Sequence, residues 1–289
     1  MIFRIGGAGA NMSANKKGKS GIRLSLIIII VVFFSVIVSY ALSMTIGYTT
    51  QKKSLTENTL ELNQITANEL SRTTETIILS MQDTLKSASD YISSGRWKQE
   101  ELQQQIDFLR GSVPYFNSVV IVNSSGLVTD TSPEALQLKG TTLSSEQTKE
   151  ALRLQKPLIS DPYRASTGRL IILASYPIYD QDGGYAGFIG GSVYLQEPNV
   201  FQKILGQQGV NENGSYYYVV DSRGNLIYHP DASRIGENVS DNAIVKLLLQ
   251  GKSGQMTVEN SREIKFLAGA APIPAAGRGI ISQTPASVV

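Results

Sequence analysis

The chain has 289 residues, 42% hydrophobic and 17% charged, a globular composition that excludes a wholly disordered protein. It has no cysteine and one histidine, His229, which excludes disulfides, thiol catalysis and zinc cages built from Cys or His. The net charge of +2 hides an asymmetry: residues 1–53 hold seven of the 26 bases and none of the 24 acids. The remainder is net acidic, so no nucleic-acid partner is expected.

These N-terminal bases flank an apolar segment that accounts for them. Residues 24–46 carry no charge and centre on Leu26-Ile27-Ile28-Ile29-Ile30-Val31-Val32-Phe33-Phe34. About 20 apolar residues in a helix span a hydrocarbon core, whereas the core of a cleaved signal peptide is only about 7–15 residues long. Five bases precede this segment and two come after it, which predicts a cytoplasmic tail over 1–23, a transmembrane helix over 24–46 in the cell membrane, and residues 47–289 outside the cytoplasm. Residues 1–11 differ in character from the polar basic stretch after them, so Met12 is a candidate translation start.

Residues 53–94 contain no proline or glycine, and Leu62, Ile65, Leu70, Ile77, Met81, Leu85 and Ile92 recur at helical spacing. The spacing predicts a stalk helix within residues 47–95, polar in its first half and packed on a domain in its second. It is also the expected seam of a homodimer. Gly95 ends it, and a short helix is expected from Trp97 to Leu109, with Trp97 as a packing residue.

From Asn117 the pattern becomes short strands with glycine turns. Strands are expected at 118–122, 127–130, 169–179 and 185–195. A capped helix opening at Ser144-Ser145-Glu146-Gln147 lies between the second and third, and another helix covers 197–205. The plan then recurs, with strands at 216–220 and 225–228, a helix at 241–250, and strands at 255–259, 263–271 and 279–283. The turn Asn123-x-x-Gly126 matches Asp221-x-x-Gly224, and Pro177-Ile178 matches Pro272-Ile273. The fold class is therefore α+β: one unit of hairpin, helix and three-strand meander, used twice.

Three segments carry a resemblance. They are Lys156-Pro157-Leu158-Ile159-Ser160-Asp161-Pro162-Tyr163, the hairpin from Tyr176-Pro177-Ile178-Tyr179 to Gly190-Gly191, and Tyr218-Val219-Val220-Asp221-Ser222-Arg223-Gly224. Together with the long preceding helix, they resemble double Cache sensor domains of bacterial signalling proteins. The resemblance covers about residues 52–285. It implies two tandem PAS-like antiparallel-sheet modules, a membrane-distal one over 96–195 and a membrane-proximal one over 196–289. It departs from the family at Arg278, where an aromatic residue is frequent.

The resemblance implies a small-molecule ligand in the first module. The amino-acid-sensing branch uses an Arg, a Trp-Tyr pair, a Tyr and an Asp. Those positions fall here on Ser145, Gln147-Thr148, Tyr163 and Ser192, so only the tyrosine is kept. A zwitterion needs both a cation and an anion, and Ser145 and Ser192 are neither. The candidate ligand residues are Tyr163, Asp161, Arg164, Arg169, Tyr176 and Ser192: the arginines for a carboxylate, the tyrosines as walls. No catalytic residue, metal or cofactor is expected. There is no G-x-S-x-G, and Gly6-Gly7-Ala8-Gly9 lacks the Lys-Ser/Thr of a phosphate loop. The stalk, with Leu60-Glu61-Leu62-Asn63, resembles the sensors of diguanylate cyclases, and chemoreceptors and histidine kinases use similar inputs. The order of that family implies a sequence truncated before a second transmembrane helix and an output module. The rival reading is a non-sensory anchored module that dimerises or holds a partner; a ligand-sized pocket between Tyr163 and Ser192 separates the two.

Overall fold

The computed structural model describes residues 24–95, 99–205, 210–260 and 263–289. The basic tail, the Met12 start and Trp97 lie outside the described residues. Two compact units divide the chain, residues 1–52 and 53–289.

Helix α1 (Leu24–Ser93) is 70 residues long. In the first unit, its residues 24–52 are all exposed and form a segment long and apolar enough to cross a membrane. In the second unit the helix tolerates many threonines, because their hydroxyls bond back to the preceding turn, as Thr73 does to Glu69 O and Thr84 to Ser80 O. Its buried residues, Asn63, Ala67, Ser71, Thr74, Ile78, Met81, Leu85 and Ser89, fall three or four apart and so share one face.

That face lies against two antiparallel sheets. The first has the order β2-β1-β6-β5-β3, with β4 also on β5, from β1 (Ser118–Asn123), β2 (Val128–Ser132), β3 (Leu158–Ile159), β4 (Tyr163–Arg164), β5 (Leu170–Tyr179) and β6 (Tyr185–Tyr194). The second repeats it as β8-β7-β11-β10-β9, from β7 (Tyr216–Val220), β8 (Leu226–Tyr228), β9 (Gly254–Glu259), β10 (Lys265–Ile273) and β11 (Arg278–Pro285). Helix α2 (Gln99–Ser112) precedes β1. Helix α3 (Glu146–Leu154) lies between β2 and β3, α4 (Val200–Leu205) joins the halves, and α5 (Ala243–Leu249) takes the place of α3 in the second half. The order of elements expected from sequence is thus present; the two-residue strand β4 is an addition.

Alternation along the strands sorts the core. Val119, Ile121, Ile172, Ala174 and Ile189 face the stalk and join Ile78, Met81 and Leu85. Val120, Val122, Leu173 and Phe188 face the opposite way, under α3. In the second half Tyr218, Val220, Ala268 and Ile281 lie under α5.

The stalk is seated on both sheets by polar contacts that recur. Ser89 Oγ donates to Pro177 O and Ser71 Oγ donates to Pro272 O, each at 2.6 Å. These are the two prolines matched in sequence, and the serines are eighteen residues apart: five helical turns, or about 27 Å. Asn63, 5% exposed, donates to Leu267 O and Thr284 Oγ1 and accepts from Ser282 Oγ. Beside it the helix backbone at Asn63 and Gln64 lies so close to Gly269 that a methyl group there would overlap it.

Candidate functional site

The first sheet's open face, the one turned from the stalk, carries a cavity of about 270 Å³ under α3. Its floor is built by strands in register. Ser118 pairs with Ser192, and Tyr163 pairs with Ile171; all four line the cavity. Its wall is the start of α3. Ser145 is the N-cap, its Oγ accepting from Thr148 N at 3.2 Å and sharing a 2.8 Å bond with Thr148 Oγ1. Burial pushes the Tyr163 phenol above its usual range, an effect opposed by hydrogen bonding to the Ser145 and Thr148 hydroxyls. Apolar contact comes from Leu138, Leu173 and Phe188.

The charge pattern is one-sided. Among the described residues no carboxylate lines the cavity. Among the described residues Arg164 is the single cation in the lining; it is exposed, and its Nη1 donates to Gly168 O at 3.1 Å. Ser118, Ser144, Ser145, Thr148, Tyr163 and Ser192 bring hydroxyls to the lining. Such a site can hydrogen-bond a small polar molecule and accept one negative charge at its mouth; it offers no anion for an ammonium group.

Of the six residues expected at the site, Tyr163, Arg164 and Ser192 line this cavity. The other three do not. Tyr176 pairs with Ile189 on the stalk side of the sheet, because its parity along β5 is opposite to that of Ile171 and Leu173. Asp161 turns to the second half, accepting from Ser222 Oγ at 3.1 Å and facing Arg223 at 3.7 Å. Arg169 stands behind Tyr194, its guanidinium 5.0 Å from the ring centroid, and its Nε donates to Glu197 at 2.6 Å. Ser118, Thr142 and the leucines of the 134–143 segment were not anticipated, and their only sequence signal is their place at strand and helix ends.

Residues 47–289 match the Cache domain family in its double form, dCache_1. The chain belongs to the Cache domain family. Solved Cache-like structures show the same fold. An extracellular ligand binding receptor from Desulfohalobium retbaense is 20% identical with a TM-score of 0.63, over 75% of this chain and 39% of that one. The periplasmic sensory domain of the Campylobacter jejuni chemoreceptor Tlp1 is 15% identical with a TM-score of 0.61, over 80% of this chain and 96% of that one. The ligand binding domain of the Pseudomonas aeruginosa amino acid chemoreceptor PctC, in complex with GABA, is 15% identical with a TM-score of 0.58, over 78% and 99%. No curated protein sequence matches the chain. Residues 47–289 are thus a Cache domain, and helix α1, which enters it, is long and apolar enough at its start to cross a membrane.

Proposed function

We propose that the chain is the input of a transmembrane signal transducer, sensing a small polar molecule in the first Cache cavity. The observation that carries this is the cavity of about 270 Å³ between Tyr163 and Ser192. A filled core at that place would have favoured the non-sensory reading. The ligand is held by hydroxyls, with Arg164 placed for a single carboxylate and with no counter-anion for an amino group. This separates it from the zwitterions of the amino-acid-sensing branch.

In this reading residues 24–46 span the membrane with the N-terminus cytoplasmic, and two copies pair along the stalk. The exposed Leu55, Leu62 and Ile65 of α1 support that pairing. The transducer's output is a diguanylate cyclase, a reading supported by the stalk's sequence; a chemoreceptor or a histidine kinase is the alternative. Ligand closure of the first module would shift the stalk; a coupling of about 1–3 kcal/mol gives a 5–150-fold response.

The test is a thermal-shift screen of the full chain in nanodiscs against carboxylates, polyols, amino acids and polyamines. A ligand at 100 times its Kd adds about 2.7 kcal/mol. A hit lost in both Tyr163→Ala and the cavity-filling Thr148→Trp supports the site. A hit that survives Thr148→Trp, or a flat screen on a folded sample, refutes it.

A further inference from the structure

The second module has its own cavity, of about 350 Å³, at the place corresponding to the first. The correspondence is one of register. Gln283 of β11 pairs with Tyr216 of β7, as Ser192 of β6 pairs with Ser118 of β1. Asn242 caps α5 as Ser145 caps α3. The chemistry differs. Where the first floor has two serines, the second has Tyr216 and Gln283, with Tyr218 and His229 beside them.

Two polar floor groups open into this cavity. Gln283 is 3% exposed and Tyr218 is 5% exposed, both line the cavity, and neither is among the described side chains whose enclosed polar atoms lack a partner. Their amide and hydroxyl are therefore met by whatever fills the cavity, water or a ligand.

The surroundings narrow what that is. Arg234 is already occupied: Nε and Nη2 donate to Glu237 at 2.7 and 2.9 Å, and Nη1 lies 3.3 Å from His229 Nε2. The other charged residues in the lining are acids, Asp241 and Glu259, so an anion is disfavoured. Gln283 and Tyr218 are neutral, and Tyr216 and His229 stand edge to face at 5.4 Å, forming an aromatic wall. A glutamine amide presents a donor and an acceptor side by side in one plane.

We propose that the second cavity is an independent ligand site for a small, neutral, planar molecule with an amide or lactam edge, paired to Gln283 and Tyr218 against the aromatic wall. It does not depend on what the first cavity binds.

The full chain in nanodiscs is titrated with uracil, hypoxanthine and nicotinamide, and with acetate and butylamine as charged comparisons, by thermal shift and calorimetry. At least one neutral probe is expected to bind saturably. Gln283→Leu should weaken it by about tenfold or more, and Thr148→Trp, which fills the first cavity, should leave it unchanged. Should Gln283→Leu not fold, Tyr218→Phe serves, with a smaller loss. The proposal is overturned if no neutral probe binds at millimolar concentration, if acetate or butylamine binds more tightly, or if binding survives the floor variants. It is also overturned if binding is lost in Thr148→Trp, which would place the ligand in the first cavity.

Discussion

Replacing Asn63 by leucine tests whether the stalk is held by its polar seat or by apolar packing alone. The substitution keeps the size and removes every polar atom. Asn63 gives the second sheet three hydrogen bonds, to Leu267 O at 2.9 Å, to Thr284 Oγ1 at 3.0 Å and from Ser282 Oγ at 2.8 Å. Each contributes about 1 kcal/mol net, and a stranded buried hydroxyl costs about 1–3 kcal/mol more. Thr284 keeps Ser215 as a partner at 2.8 Å, so the stranded group is Ser282, itself 5% exposed. Leucine returns part of the loss through its apolar surface, leaving about 3 kcal/mol. For a unit of this size that is a fall in Tm of about 6–12 °C. The assay is a thermal melt of the full chain in nanodiscs beside Asn68→Leu, an exposed position on the same helix whose Oδ1 accepts from Gln64 Nε2 at 3.3 Å. The exposed variant should stay within about 0.5 kcal/mol of the parent. If the two variants melt together, the polar seat contributes nothing and the reasoning fails.

The same geometry sets other outcomes. Gly269→Ala pushes a methyl group into the Asn63–Gln64 backbone, and should lower stability by about 1–3 kcal/mol, read from the urea midpoint. Ser71→Ala and Ser89→Ala should each cost about 1 kcal/mol and add within about 0.5 kcal/mol in the double variant; strong non-additivity would mean that the two seats share one local structure. Burial and the nearby Arg234 hold the His229 imidazole below its usual range, against opposing contributions from Asp231 and Glu237. The unfolded chain then binds a proton that the folded one refuses, so stability should fall as pH drops through about 6.5. A Tm series should show that fall in the parent and a weaker one in His229→Gln. Arg278 is buried, its guanidinium pushed down to about 10 by desolvation, with Asp161 and Asp221 opposing; Nη2 donates to Ser160 O, while among the described residues Nε and Nη1 have no partner. Arg278→Met should therefore melt at the parent's temperature or above it, and a large loss would show that the Ser160 bond matters more.

The architecture was legible because hydrophobic periodicity changes along the chain and the turns repeat. The matched turns are physically alike: Asn123 Oδ1 accepts from Ser125 N and Leu127 N, and Asp221 Oδ1 accepts from Arg223 N and Asn225 N. The candidate site was less legible. Tyr176 and Ile171 lie on the same strand, and only the register with β6 says which face meets the stalk. Asp161 adjoins the cavity loop in sequence, yet its hydrogen-bond partner Ser222 lies 61 residues away, across the junction with the second module. Ser145 falls in the capping pattern read from sequence and is the cap; that its hydroxyl and that of Thr148 line a cavity depends on how α3 lies over the sheet. Arg278, singled out as a departure from the family, is a buried cation on the edge of that same junction, bonded to the residue before Asp161.

The paired serines on the stalk make it a gauge rod. Moving the helix by one turn would bring Ala67 or Glu75 to Pro272, and Leu85 or Ser93 to Pro177. Neither direction offers a serine to both carbonyls, so there is no second notch in which the rod can rest. Any sliding between the rod and one module must open a single catch, at about 1 kcal/mol. A ligand that favours one module shape over another by that much can release one catch and leave its twin closed.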